Sequence, residues 1–300
     1  MNVTAHSLGL FPRDSEAVTT IPDAVAIQRR AGLDAVVDGQ LQWTGGLAHP
    51  LAAATGVTPG EPVHSIPGAE TAPRPVIHGP LDAATVLATE VRALSTQTDR
   101  PVMVVPGPYT LATIADDRHY GDTADRLEAV AALLAAEIAA TPPVETVLVH
   151  EPHLATTPPS GEVAGRVPTA LDTALAPTDA RSIVVPYGAV LTDRVHAHVL
   201  DADIDVLGYD LLADHTRVTD LIAEYGTTDA VALCVLDPRQ PVPSADTLTQ
   251  RVRWVRDRVP EVVPIEEAVL CPTRGLNGVD ADRLASVLSR LGRVADTAAR

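Results

Sequence analysis

Short runs of β-branched and aliphatic residues alternate with longer stretches of helical period almost from end to end of the chain. The apolar runs read as eight strands, at 3–10, 34–39, 101–107, 146–152, 181–188, 204–210, 229–237 and 267–272. Between them lie amphipathic segments such as 122–140 and 244–259, opened by Asp122 and Ser244, whose side chains suit the first N–H groups of a helix. Strands that alternate with helices imply a parallel sheet with crossover connections. Runs that are apolar throughout fit a sheet buried on both faces. Eight such units favour a (β/α)8 TIM barrel over an open doubly wound sheet, although periodicity alone allows either. Residues 56–80 are rich in Pro and Gly and lack a helical period, which predicts a short excursion, a hairpin over one barrel end, after the second strand. No repeat of solenoid length interrupts the pattern, so residues 1–300 read as a single barrel domain.

Composition narrows the picture. The chain is 46% hydrophobic with one Phe, two Trp and five Tyr, so its core must be built from Val, Leu, Ile and Ala. The formal charge is −17, and every basic residue is Arg because there is no Lys. Such a surface repels phosphate backbones and anionic lipid, which argues against nucleic acid and membrane as partners. An acidic surface without Lys also fits a halophilic cytoplasm, where salt screens self-repulsion, or a GC-rich genome that favours Arg codons. Cys234 and Cys271 are the two cysteines, and with no signal-like segment they point to a reducing, cytoplasmic setting. No apolar run approaches the ~18 residues that a membrane span needs.

In a parallel barrel, chemistry gathers at the carboxyl ends of the strands. Those positions carry Phe11, Pro12 and Arg13; Asp38, Gln40 and Trp43; Tyr109; His150 and Glu151; Tyr187; Asp210; Asp237 and Arg239; Cys271 and Arg274. His150 and Glu151 suggest an acid-base pair, but strand neighbours point to opposite faces, so one of them must turn away from the mouth. Arg13 and Arg274 suit a carboxylate or phosphate, or pair with Asp38 or Asp210 across the rim. Zinc would need several close Cys or His donors; Cys234 reads as a small core residue, and a zinc site across the mouth would have to be built from Cys271, Asp210 and His150. The glycine-rich and serine signatures of dinucleotide, ATP and hydrolase sites are absent.

Six segments in order resemble the cobalamin-independent methionine synthase family, its single-barrel archaeal-type members included: "GLFPR" (9–13), "AIQRRAGLDAVVDGQLQW" (26–43), "PGPYTLA" (106–112), "VHEPHL" (149–154), "CVLDPRQPVPS" (234–244) and "CPTRGL" (271–276). The resemblance spans essentially the whole chain and implies a (β/α)8 barrel and methyl transfer to homocysteine sulfur. It further implies zinc, which lowers the pKa of the homocysteine thiol. Against the family's ligand motifs, Val184 and Pro186 fall at the His and Cys positions, Asp210 at the Glu position and Arg274 at the turn Cys, with Cys271 three residues early. Leu10 and His150 likewise replace a Ser and an Asp of the family pattern. The resemblance therefore implies a degenerate zinc set and a barrel that binds no cofactor of its own.

The resulting expectation is the zinc-free partner of a split homocysteine methyltransferase, with zinc held by a separate barrel subunit and a folate or corrinoid methyl donor. Arg13, Arg239 and Arg274 would hold anionic parts of a pteroylglutamate, Trp43 or Tyr109 would stack on its ring, and Asp38, Gln40, Tyr187 and Asp210 would complete the rim. The alternatives are a stand-alone methyltransferase with an atypical zinc site at Cys271, His150 and Asp210, an enzyme of altered chemistry using His150 and Glu151, and a structural partner without ligand.

Overall fold

A computed structural model of the chain describes residues 1–13, 17–33, 35–64, 71–259 and 263–298. Ten strands are present among them: β1 (Asn2–Ala5), β2 (Thr55–Val63), β3 (Ala72–Asp82), β4 (Val102–Pro106), β5 (Asp116–Asp117), β6 (Thr146–His150), β7 (Arg181–Val185), β8 (Val206–Asp210), β9 (Ala230–Leu236) and β10 (Glu267–Pro272). The helices are α1 (Ile21–Arg30), α2 (His49–Ala53), α3 (Val86–Ser95), α4 (Pro108–Ile114), α5 (Thr123–Ala139), α6 (Pro152–Thr156), α7 (Gly161–Leu175), α8 (Asp193–Leu200), α9 (Leu211–Tyr225), α10 (Ala245–Arg258) and α11 (Ala281–Ala298).

Seven strands form one parallel sheet in the order β1-β10-β9-β8-β7-β6-β4. Each falls within or at the edge of an apolar run, and β4, β6, β8 and β9 are buried at every position, as a sheet covered on both faces requires. The sheet curls. Arg181 begins β7 and Glu267 begins β10, with two strands between them, yet the guanidinium donates two bonds of 3.0 and 2.9 Å to the Glu267 carboxylate. Thr4 of β1 donates to the same carboxylate at 3.2 Å. A flat sheet spaces strands about 4.8 Å apart and would hold those ends well out of reach, so this cluster closes the amino-terminal end of a half-barrel.

The eighth expected strand, 34–39, is the one that differs. Asp34 lies outside the described residues, and of 35–39 only Val36 pairs, in an isolated parallel bridge with Pro101. Gly32, Gly39 and Gln40 have φ of +83°, +81° and +51°, so the chain turns before and after this point and cannot stay extended for longer. On its far side the Phe11 N–H donates to the Gly39 carbonyl at 2.8 Å.

The Pro-rich excursion is a hairpin: β2 and β3 pair antiparallel, with β5 added on the outer edge of β3. Pro59 and Pro62 lie on the outer strand, where a missing N–H costs least. Ile77 is fully buried, and Arg74 donates to the Ile114 carbonyl at 3.0 Å, which ties the hairpin to the end of α4. The two helices read from sequence begin as expected, with Asp122 capping α5 and Ser244 capping α10.

Candidate functional site

The inward face of the curled sheet is fixed by its end-to-end bonds. Arg181 and Glu267 meet inside, so alternation turns Ile183 and Val185, and Val269 and Cys271, inward as well. Cross-strand register carries the same face through Cys234 and Asp210. An ideal Cβ on Gly208 would stand 3.0 Å from Val185 Cγ1, so the two positions share one face of the sheet.

His150 ends β6, is fully buried and shares a 3.1 Å hydrogen bond between Nδ1 and the Tyr187 hydroxyl. The two rings meet edge to face at 88°, centroids 5.6 Å apart. Nε2 has no hydrogen-bond partner among the described residues. Burial pushes the imidazole pKa down to about 4, opposed by the nearby Leu8 backbone, so the ring is neutral at pH 7. Burial likewise raises the Tyr187 phenol.

Glu151 turns the other way. Its Oε1 accepts from the Tyr109 N–H at 2.8 Å, and its Oε2 accepts from the N–H and hydroxyl of Thr110 at 2.8 and 2.7 Å. The carboxylate thus satisfies buried N–H groups that have no partner within the first turn of α4, where the helix dipole favours negative charge. Burial raises its pKa to about 7 against the pull of those three donors. Gly107 makes this possible, because a Cβ there would overlap the Glu151 side chain. His150 and Glu151 therefore do not form an acid-base pair: one faces the lumen and the other caps a helix. Thr110 and Gly107 were not read from sequence as site residues; "PGPYT" carried the signal, a Pro at the first helical position beside a residue without a side chain.

The remaining rim residues are also held. Asp210 accepts from the N–H groups of Gly188, Leu212 and Ala213 at 2.9, 3.0 and 3.3 Å, capping α9, and burial raises its pKa. Gln40 accepts from the Leu10 N–H at 2.8 Å and donates to Asp38. Asp38 is buried and its pKa is pushed up to about 6. Gly9 has φ +68°, and any Cβ on it would collide with Gln40 Oε1. Leu10, also at positive φ, covers Gly275, so the loop after β1 packs on the turn after β10.

The proposed ring-stacking residues are engaged elsewhere. Trp43 is 2% exposed, its Nε1 donates to Glu90 at 2.8 Å, and its ring stacks on His49. Glu90 itself is pushed up to about 7 by burial and by Asp38. The Tyr109 hydroxyl donates to the Thr157 carbonyl at 2.8 Å. Of the arginines, Arg13 donates to the Trp43 carbonyl at 3.1 Å, and Arg274 pairs with Asp237 at 3.5 Å rather than with Asp38. Arg239 lies against Gly278, and its N–H donates to the same Asp237. Asp237 thus receives the Arg239 backbone N–H and the Arg274 guanidinium, while Arg13 belongs to the loop after β1.

Two solved structures share this architecture. A B12-independent methionine synthase from Shewanella sp. W3-18-1, in complex with selenomethionine, matches with a TM-score of 0.78 at 18% identity over 99% of this chain and 97% of that one. A putative vitamin-B12 independent methionine synthase from Listeria monocytogenes matches with a TM-score of 0.72 at 16% identity, over 94% of this chain and 86% of that one. The chain has the fold of these methionine synthases. No family model matches the sequence, and no curated protein matches it.

The positions at which the resemblance implies zinc ligands lie at the ends of β7 and β8 and in the turn after β10. Alternation on β7 turns Val184 away from the lumen, so the inward positions at the end of this strand are Val185 and Tyr187 rather than Val184 and Pro186. Val185 has no donor atom, and the Tyr187 phenol stays protonated and bonded to His150. Arg274 brings a cation to the remaining position. Among the described residues no group of three or more His, Cys, Asp or Glu is gathered to hold a metal. Cys271 touches Cys234, Sγ to Sγ 3.4 Å, while Asp210 and His150 are engaged as above. This donor set does not fit zinc.

Proposed function

We propose that the chain is a methionine-synthase-like (β/α)8 barrel, with residues 35–37 as a reduced eighth stave, that takes part in methionine formation as the zinc-free partner of a zinc-bearing barrel. Two observations together support the reading: the fold matches a B12-independent methionine synthase over 99% of this chain, and the residues at the ends of β7 and β10, Val185, Tyr187 and Arg274, offer no thiolate or imidazole to a thiol-activating cation. Without that cation neither of the two candidate bases is placed to ionise homocysteine, because His150 is neutral and bonded to Tyr187, and Glu151 is committed to α4. What this chain supplies is shape and charge. Asp237 pairs with the Arg274 guanidinium, and the Arg239 guanidinium lies against Gly278 in the turn after β10; both suit the carboxylates of a folate methyl donor or an acidic face of a corrinoid carrier. Among the described residues no helix is long and apolar enough to cross a membrane.

The test is methyl transfer to homocysteine by the purified chain, with zinc added, alone and together with a zinc-barrel homologue. Turnover by the mixture and none by the chain alone is expected, as is co-purification of the two at molar salt. Methylation by the lone chain carrying one equivalent of bound zinc would refute the reading.

A further inference from the structure

The segment that follows the reduced eighth stave turns through Gly39 and Gln40, both at positive φ, and brings Trp43 and His49 onto α3. Its anchor there is Glu90, which is 8% exposed. Glu90 Oε2 accepts from Trp43 Nε1 at 2.8 Å, Oε1 lies 3.8 Å from His49 Nε2, and the indole stacks on the imidazole with ring planes 18° apart. Two further carboxylates act on the same spot, Asp38 from the end of the stave and Glu137 from α5. Glu137 accepts from the N–H groups of Thr85 and Leu87 at 2.7 and 3.1 Å, and Asp38 accepts from Gln40. Of the arginines on these elements, Arg13 donates to the Trp43 carbonyl at 3.1 Å and Arg92 of α3 to the Ala140 carbonyl at 3.2 Å. Glu90 therefore has one hydrogen-bond donor among the described residues and two acidic neighbours, and a buried carboxyl group so placed keeps a proton more readily than a charge. Burial first, then the Asp38 charge, push its pKa up to about 7, and burial lowers that of His49, whose ring is neutral.

We infer that Glu90 carries a proton aimed at His49 Nε2 and that its loss weakens the grip of α3 on the Trp43 turn, so that pH sets how firmly this segment holds the loop at the mouth. The connection runs through side chains already placed: Asp38 accepts from Gln40, Gln40 accepts from the Leu10 N–H at 2.8 Å, and Leu10 covers Gly275 in the turn after β10. Gly39 and Gln40, in the left-handed region, are the hinge between the stave and this turn. The sign follows from linkage. A carboxyl group that titrates near 7 when buried and at 4.5 when exposed favours the closed arrangement at low pH, and that advantage is lost as pH rises from 4.5 to 7.

Trp43 is its own probe once the other tryptophan is removed by Trp254→Phe. In that background, at fixed salt, Trp43 emission should titrate in one step with a midpoint near pH 7. Glu90→Gln, which keeps an oxygen for the indole N–H, should abolish the step. Asp38→Asn and His49→Phe, which remove the neighbouring charge and the acceptor of the proton, should each lower the midpoint. Coupling to the mouth is read at the Leu10 N–H by hydrogen exchange, corrected for the intrinsic rate: between pH 6 and pH 8 its protection should fall about tenfold, and by about twofold or less in Glu90→Gln. No step in Trp43 emission, a step that survives Glu90→Gln, a midpoint unmoved in both neighbouring variants, or Leu10 protection that falls equally with and without Glu90 overturns the inference. None of these measurements involves methyl transfer, so their failure leaves the proposed function standing.

Discussion

Replacing Gly107 by Ala tests whether the Glu151 carboxylate holds α4 in place. At φ −76° and ψ 153°, Gly107 has a backbone that any residue adopts, so Gly→Ala there would ordinarily stabilise by about 0.4–1 kcal/mol through the unfolded chain. Here the added Cβ would overlap Glu151 and push its carboxyl group off Tyr109 and Thr110. Losing charge-assisted bonds to buried N–H groups costs about 1.5–3 kcal/mol each, and breaking a buried charge's pairing costs about 3–5 kcal/mol. A net loss of about 4 kcal/mol is therefore expected. With an unfolding entropy of about 2.1 cal/mol/K per residue, the 300-residue chain should melt about 6 °C lower, measured by circular dichroism at fixed salt. In the Glu151→Ala background the obstacle is gone, and Gly107→Ala should become neutral or slightly stabilising. A Gly107→Ala variant that melts higher than the parent, or that loses the same amount with and without Glu151, would refute the packing argument.

Three further outcomes are expected. Tyr187→Phe leaves His150 without its Nδ1 partner and should cost about 1–3 kcal/mol, read by chemical denaturation, with no gain in methyl transfer. His6 and His150 have folded pKa values depressed to about 4 from 6.5; the unfolded chain binds protons first, so the stability they contribute is present above pH 6.5 and lost as pH falls toward 4. His150→Asn should flatten part of that acid limb in melting curves recorded from pH 7 to pH 4.5, whereas the raised carboxyl of Glu151 acts with the opposite sign, favouring the fold as pH falls from 7 to 4.5. Glu267→Gln, which weakens the cross-barrel bond to Arg181 and Thr4, should cost about 1–2 kcal/mol after allowance for the partial exposure of the pair, and the loss should shrink in molar salt.

The sequence by itself determined the parallel strands, their crossover helices and the hairpin, because each rests on local pattern: unbroken apolar runs such as "AVALCVL", helix caps such as Asp122, and a proline-rich segment that cannot enter a central sheet. It also showed that His150 and Glu151 must part company, since strand alternation needs only their adjacency. Tertiary structure alone decided which way each turned. Glu151 went to α4 because an unsatisfied helix start lay 41 and 42 residues earlier in the chain with Gly107 leaving room, and no local rule connects those positions. The same holds for Trp43, which the rim reading offered to a ligand and the fold commits to Glu90, 47 residues away, and for β7, where only the bond from Arg181 to Glu267 shows that Val185 rather than Val184 faces the lumen. Pattern fixes which residues are strand and which are helix; distant polar groups that must be satisfied on burial decide what each rim side chain is left able to do.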